Sequence, residues 1–132
     1  SSEDHDNRFT QENFVVAADY STASVLARDA ALIFANDAHG RRQREIAEAL
    51  RPEPLSPMAT PVTLSAERFG RVPRFYVHTS RDNAVSRPLQ RLMVERSAVR
   101  AAYELNAGHS PHLTRPARLT QILIRASREP VQ

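Results

Sequence analysis

The sequence predicts an α/β fold, and three observations carry that prediction. Two runs read as strands, the β-branched and aromatic Arg74–Thr79 and the shorter Ala101–Leu105, and each stops at a turn sequence. Each is followed by a stretch with helical apolar spacing, so strand, turn and helix repeat in order. Upstream, Pro52, Pro54, Pro57 and Pro61 interrupt the chain and separate this βαβα unit from a helix-rich first part. A βαβα order favours parallel strands joined by a crossover helix. The expected division is residues 1–63, ending in the proline-rich connector, and residues 64–132.

The elements are expected as follows. Residues 1–8 read as a frayed polar terminus. Phe14 to Ala18 can form a strand, followed by a turn at Asp19-Tyr20-Ser21-Thr22. From Thr22 to Ala35, Val25, Leu26, Ala30, Ile33 and Phe34 recur at helical spacing and make one apolar stripe. Asn36-Asp37-Ala38-His39-Gly40 breaks it, and a second helix runs from about Arg41 to Leu50. Ile46, Ala47 and Leu50 share one face of that helix, while Arg41–Glu45 and Arg44–Glu48 pair across turns on the other. The prolines that follow fix φ and remove donors, which predicts an extended connector rather than a helix or a central strand.

After the Arg74–Thr79 strand and the turn Ser80-Arg81-Asp82-Asn83, Ser86 can cap a helix to about Arg96. Leu89, Leu92 and Met93 are expected on its inner face. The Ala101–Leu105 strand stops at Asn106-Ala107-Gly108-His109. Thr114 is expected to cap a last helix, with Pro116 in its first turn and Leu119, Ile122, Leu123 and Ala126 along one side.

Composition narrows the function classes. The chain has 132 residues, 41% of them hydrophobic, enough for one core. No run approaches the roughly 18 apolar residues of a membrane span. Zero cysteine removes disulfides, thiol catalysis and zinc–thiolate sites. The start, Ser1-Ser2-Glu3-Asp4-His5-Asp6-Asn7, is acidic and polar, unlike a signal peptide. A cytoplasmic location is the resulting expectation. All 18 basic residues are Arg, and the net charge is only +3, so neither a nucleic-acid nor a membrane partner is expected. Arg41, Arg42 and Arg44 are interleaved with Glu45 and Glu48 and read as a solvated face.

In open parallel sheets, functional groups gather beyond the carboxyl ends of strands. Asp82 lies just past the first such strand and His109 just past the second. A carboxylate on one βα turn can meet an imidazole on the next, fix its tautomer and stabilise its protonated form. On position alone, an Asp after a strand serves equally as a turn former or helix cap. His109 and His112 are three apart, but Pro111 prevents the regular helix that would align them on a metal. His78, inside a strand, is expected to be packed and hydrogen-bonded rather than catalytic. The Glu3-Asp4-His5-Asp6 stretch reads as a solvated terminus.

Several phrases, in order, resemble the plant methylesterase and hydroxynitrile-lyase branch of the α/β-hydrolases, including its bacterial esterases. They are Gly70 through Val85 continuing to Leu89-Gln90-Arg91-Leu92-Met93, and Ala107-Gly108-His109-Ser110-Pro111 followed by Leu113 and Pro116. Ile33-Phe34-Ala35-Asn36-Asp37 and Leu50-Arg51-Pro52-Glu53-Pro54-Leu55 are similar to the lid of the bacterial members. The likeness covers about residues 12–128. It implies the C-terminal part of an α/β-hydrolase fold: a helical lid segment, then the βαβα unit that contributes the last parallel strands.

The resemblance further implies Asp82 as triad acid and His109 as general base, in the order Ser…Asp…His. Phe14, Tyr20, Leu26 and Phe34 are candidates for an acyl or aromatic pocket under the lid. Val85-Ser86 stands where the family has Ile-Pro. The lyases place a Lys directly after the histidine. Here that residue is Ser110, so ester hydrolysis is implied over cyanohydrin cleavage, with no metal or organic cofactor.

A nucleophile elbow of the G-x-S-x-G type is absent. The glycines are Gly40, Gly70 and Gly108, and no serine lies between two of them at that spacing. The chain is therefore expected to be the lid and C-terminal half of a serine-type carboxylic ester hydrolase, inactive alone. Its partner is expected to be the missing N-terminal half, or a second copy of itself, with a small ester as the assembled enzyme's substrate. The alternative is a truncated, non-catalytic module that binds a partner or a small apolar ligand.

Overall fold

The computed structural model describes residues 10–130. The acidic start and the frayed-terminus expectation for residues 1–8 lie outside the described residues.

The second part of the chain is the βαβα unit that the sequence predicts. Strand β4 (Phe75–Thr79) pairs in parallel with β5 (Ala101–Leu105), from Phe75 opposite Ala101 to Thr79 opposite Leu105. Parallel neighbours need a crossover, and helix α4 (Arg87–Arg96) supplies it. Its start is built into the sequence. Ser86 accepts the Leu89 N–H on its hydroxyl oxygen at 3.4 Å, and Pro88 fits a first turn whose N–H groups have no helical partner. At the far end Ala98 adopts φ 46°, the left-handed region that usually falls to glycine at a helix exit.

Two expectations for this half are corrected. Leu89, Leu92 and Met93 do not face inward; each is more than one-third exposed, and the buried residue of α4 is Gln90. The Gln90 amide is hydrogen-bonded to the end of β4, and the helix so oriented leaves Leu89, Leu92 and Met93 outward. Thr114 does not cap the last helix. It ends a separate single-turn helix, α5 (Pro111–Thr114), and α6 (Pro116–Ser127) starts after Arg115 with no side-chain cap. The Thr114 hydroxyl is bonded elsewhere, to Asp37. On α6, Ala126 is buried while Leu123 is exposed.

The first part is less helical than expected. Strands β1 (Phe14–Val16) and β2 (Thr22–Val25) form an antiparallel hairpin, with Phe14 opposite Val25 and Val16 opposite Ala23. Residues 22–25 are thus strand, not the first turn of a helix. Val25 and Leu26 satisfy either period, and hairpin pairing decides between them. The reversing turn places Tyr20 at φ 58° and is tied by Asp19, which accepts the Ser21 N–H and hydroxyl at 3.0 and 2.7 Å. Helix α1 (Ala27–Phe34) follows and packs on α2 (Gly40–Ala49). Gly40 opens α2 at φ 56°, a conformation any side chain would strain. Arg41 pairs with Glu45 at 3.4 Å on the solvated face, as the spacing predicts.

The proline-rich stretch is also more structured than a plain connector. Glu53–Pro54 forms a short third strand, β3, against Thr22 and Ala23, and Leu55–Ala59 makes a short helix, α3. Proline is tolerated in β3 because it lies at the edge of the sheet β1-β2-β3.

The core is small. Ala35, Ala38 and Ile46 cluster, with Leu113 from the second part packed against them. Ile33 and Leu105 are buried outside that cluster, while many large side chains lie on the surface, including Val62, Leu64, Phe69 and Val72 before β4, and Leu123 and Ile124 on α6. Among the described residues no helix is long and apolar enough to cross a membrane.

Candidate functional site

The carboxyl ends of β4 and β5 hold one polar constellation. Buried Thr79 ends β4, and three residues later Asp82 turns its carboxylate back over the strand end. Asp82 Oδ1 accepts the N–H groups of Ala84 and Val85 at 2.8 and 2.9 Å, and Oδ2 accepts the Thr79 hydroxyl at 2.9 Å. Its side chain is 6% exposed, so these donors replace water around a charge that would otherwise be costly to enclose.

His109 reaches the same carboxylate from beyond β5. Its Nδ1 lies 3.1 Å from Oδ1 and 3.2 Å from Oδ2 of Asp82. Burial raises the Asp82 pKa. The hydrogen bond from His109, the Val85 N–H, the His109 charge and the Ala84 N–H outweigh it, leaving the carboxyl below its ordinary 3.8. An ionised carboxylate only accepts, so the contact requires hydrogen on Nδ1, and in the neutral imidazole this tautomer leaves the lone pair on Nε2.

The two turns are fastened by backbone and side-chain bonds. Ser80 N–H donates to Leu105 C=O and Arg81 N–H to Ala107 C=O, both at 3.0 Å. Gln90 Oε1 accepts the Thr79 N–H at 2.9 Å, and Nε2 donates to Thr79 C=O at 3.0 Å and Val85 C=O at 2.8 Å. One buried amide therefore joins the strand end to the turn holding Asp82. The sequence offers Gln90 only within the family-like phrase and gives Thr79 no role beyond the strand; Gln90 sits among Arg87, Arg91, Glu95 and Arg96, so polarity alone does not single it out.

The histidine borders a cavity of about 490 Å³. Phe14, Phe34, Ile46, Met58 and Leu113 give it an apolar wall, with His109 and His112 also lining it. The Phe34 ring stands 5.3 Å from the His109 ring, tilted by 56°. Two of the four expected pocket residues, Phe14 and Phe34, are thus brought to His109. The other two are not among the lining residues: Tyr20 lies on the hairpin turn, 76% exposed, and Leu26 is half-buried at the start of α1.

His78 is buried beside Tyr76, ring centroids 4.9 Å apart, but its Nδ1 has no hydrogen-bond partner, unlike the bonded state expected. Among the described residues, no group of three or more His, Asp or Glu side chains could hold a metal ion.

Comparison with known proteins gives a consistent result. The profile of the Alpha/beta hydrolase family matches residues 5–122. Two chloroplastic Arabidopsis thaliana proteins, provisionally named methylesterase 12 and methylesterase 14, are 36% and 35% identical over 83 residues, 62% of this chain and 24% of each relative. Among solved structures, polyneuridine aldehyde esterase superposes with a TM-score of 0.70 at 24% identity, covering 80% of this chain and 43% of that one. Tomato methylketone synthase I bound to 2-tridecanone gives 0.75 at 20% identity, covering 92% of this chain and 51% of that one. A pyrethroid hydrolase from Sphingobium faniae gives 0.75 at 17% identity, covering 91% and 49%. At these identities the structures speak to fold alone. The chain spans about a quarter of the curated relatives named and about half of the solved structures.

Proposed function

This chain belongs to the alpha/beta hydrolase family, and we propose that it supplies the acid and base of a serine-type carboxylic ester hydrolase. The observation that carries the reading is the Asp82–His109 pair at 3.1 Å, set at the carboxyl ends of adjacent parallel strands and open to an apolar cavity. Asp82 holds the Nδ1 proton, so Nε2 can take the proton of a serine hydroxyl as that oxygen attacks the ester carbonyl. The imidazolium then returns the proton to the leaving alcohol, and water hydrolyses the acyl-enzyme by the same relay. The apolar wall with Phe14 and Phe34 suits a small apolar group of the ester.

No serine of this chain sits in a G-x-S-x-G phrase, so the reading places the nucleophile on a segment outside it. The methylesterase names of the Arabidopsis relatives support an ester substrate. The uncovered face of α4 and the free edge of β4 support a partner that continues the sheet.

Fluorophosphonate labelling of the assembled protein, followed by intact-mass analysis under denaturing conditions, tests the reading. Label on a serine outside residues 1–132, lost in His109→Ala, is the expected result. A labelled serine within this chain overturns the assignment, as does undiminished labelling in the variant.

A further inference from the structure

The Asp37 side chain is fully enclosed, 0% exposed, and takes no part in the relay above. It lies in the turn between α1 and α2. Its Oδ2 accepts the Thr114 hydroxyl at 2.9 Å and has the Arg81 and Arg115 guanidinium groups each 3.9 Å away. These partners flank the chemistry. Arg81 directly precedes Asp82, while Thr114 and Arg115 close the single turn that follows His109 and Ser110. The neighbouring Asn36 donates through Nδ2 to Arg81 C=O at 2.7 Å.

The other two oxygens are unusual. Asn36 Oδ1 and Asp37 Oδ1 are buried without a hydrogen-bond partner, a costly state for either group. Both face Gly108, the residue before His109. A Cβ at residue 108 would overlap Asn36 Oδ1 and stand 2.8 Å from Asp37 Oδ1. The backbone that delivers His109 therefore rests directly on this Asn–Asp pair, at a distance only glycine allows. An apolar pair could cement α1 to the βαβα unit without stranding two acceptors, so simple adhesion is a poor account of them.

We propose that Asn36 and Asp37 are positioning residues that set the spacing between the Asp82 turn and the His109 turn. One of them grips the chain just before Asp82, the other grips it just after His109, and both support Gly108. They act through the Asp82–His109 pair, so the inference rests on the acid–base reading above.

The test is the tautomer of neutral His109, read from long-range ¹H–¹⁵N correlations of the labelled chain in mildly alkaline buffer. His39 and His78 serve as internal references. The wild-type chain should show His109 protonated at Nδ1 alone. Asp37→Asn should convert it to a mixture with the Nε2–H form while the reference signals hold still. Thr114→Val, which removes a single hydroxyl, should shift His109 in the same direction by less, and it keeps the test valid if Asp37→Asn does not fold. An unchanged His109 spectrum in folded Asp37→Asn, or in Thr114→Val when Asp37→Asn does not fold, overturns the proposal. Asp82→Asn separates the two levels. If it leaves the tautomer unchanged, the acid–base reading itself fails. If it shifts the tautomer and the other variants do not, only the positioning role fails.

Discussion

The two faces of α4 obey different rules. On one side, Gln90 is 1% exposed and its amide makes bonds to Thr79 and Val85 that fasten the Asp82 turn. On the other, Leu89, Leu92 and Met93 are 42%, 37% and 43% exposed. The one buried side chain of this helix is polar, and Leu89, Leu92 and Met93 share its exposed surface with Arg91, Glu95 and Arg96. The polar side is satisfied by groups five and eleven residues back in the chain, so it closes within the βαβα unit. The apolar side has no such neighbours within reach and needs a surface from elsewhere to cover it.

Breaking the polar side should cost most. Gln90→Leu leaves Thr79 N–H and two carbonyls buried without partners, an expected loss of about 3 kcal/mol in denaturant unfolding. A loss under about 1 kcal/mol would mean that these groups find water instead.

Acid should act on the same side. The Asp82 pKa is depressed on folding, so its contribution is fully present above 3.8 and disappears as pH falls through the lower folded value. Stability followed from pH 5 to pH 2 should therefore fall less steeply in Asp82→Asn than in the wild-type chain. Parallel acid limbs would show that the carboxylate contributes nothing when ionised.

Backbone strain gives a smaller, opposite effect. Ala98 holds φ 46° at the exit of α4, and Ala98→Gly should raise the unfolding free energy by about 0.5–1 kcal/mol. Changing the apolar side should matter least to the isolated chain. Leu89→Gln with Met93→Gln is expected to shift stability by no more than about 0.5 kcal/mol, while reducing self-association in analytical ultracentrifugation. A large destabilisation would show that this face already has a cover.

Much of the site was legible before the structure. Phe75–Thr79 announces itself because a β-branched and aromatic run bounded by turn residues has few other readings, and Ala101–Leu105 is read as its partner from the strand, turn, helix order and the turn that follows it. Asp82 and His109 follow from those strand ends, and the family-like phrases around them agree. The illegible parts share a cause. Val25 suits a strand or a helix, and only pairing with Phe14 selects the strand, which leaves Leu26 at the start of α1. Glu53–Pro54 becomes a strand through Thr22 and Ala23, not through its own propensity. Thr114 looks like a helix cap until Asp37, remote in sequence, claims its hydroxyl. Leu89, Leu92 and Met93 make a sound apolar stripe, and the stripe carries no information about which side Gln90 will be pulled to.

The ties around the site also differ in how much chain each encloses. Asp82 and His109 are 27 residues apart, Asn36 and Arg81 are 45 apart, and Asp37 and Thr114 are 77 apart. Closure entropy grows by about 0.6 kcal/mol for each doubling of loop length, so the last tie costs about 1 kcal/mol more than the first. During folding the acid and base can therefore meet as soon as the crossover closes, while the bond from Asp37 must wait for the front of the chain to return. Transient opening follows the reverse order. The ties from Asn36 and Asp37 are the first to part, and if they set the spacing of the Asp82 and His109 turns, any opening that frees the first part also slackens that pair.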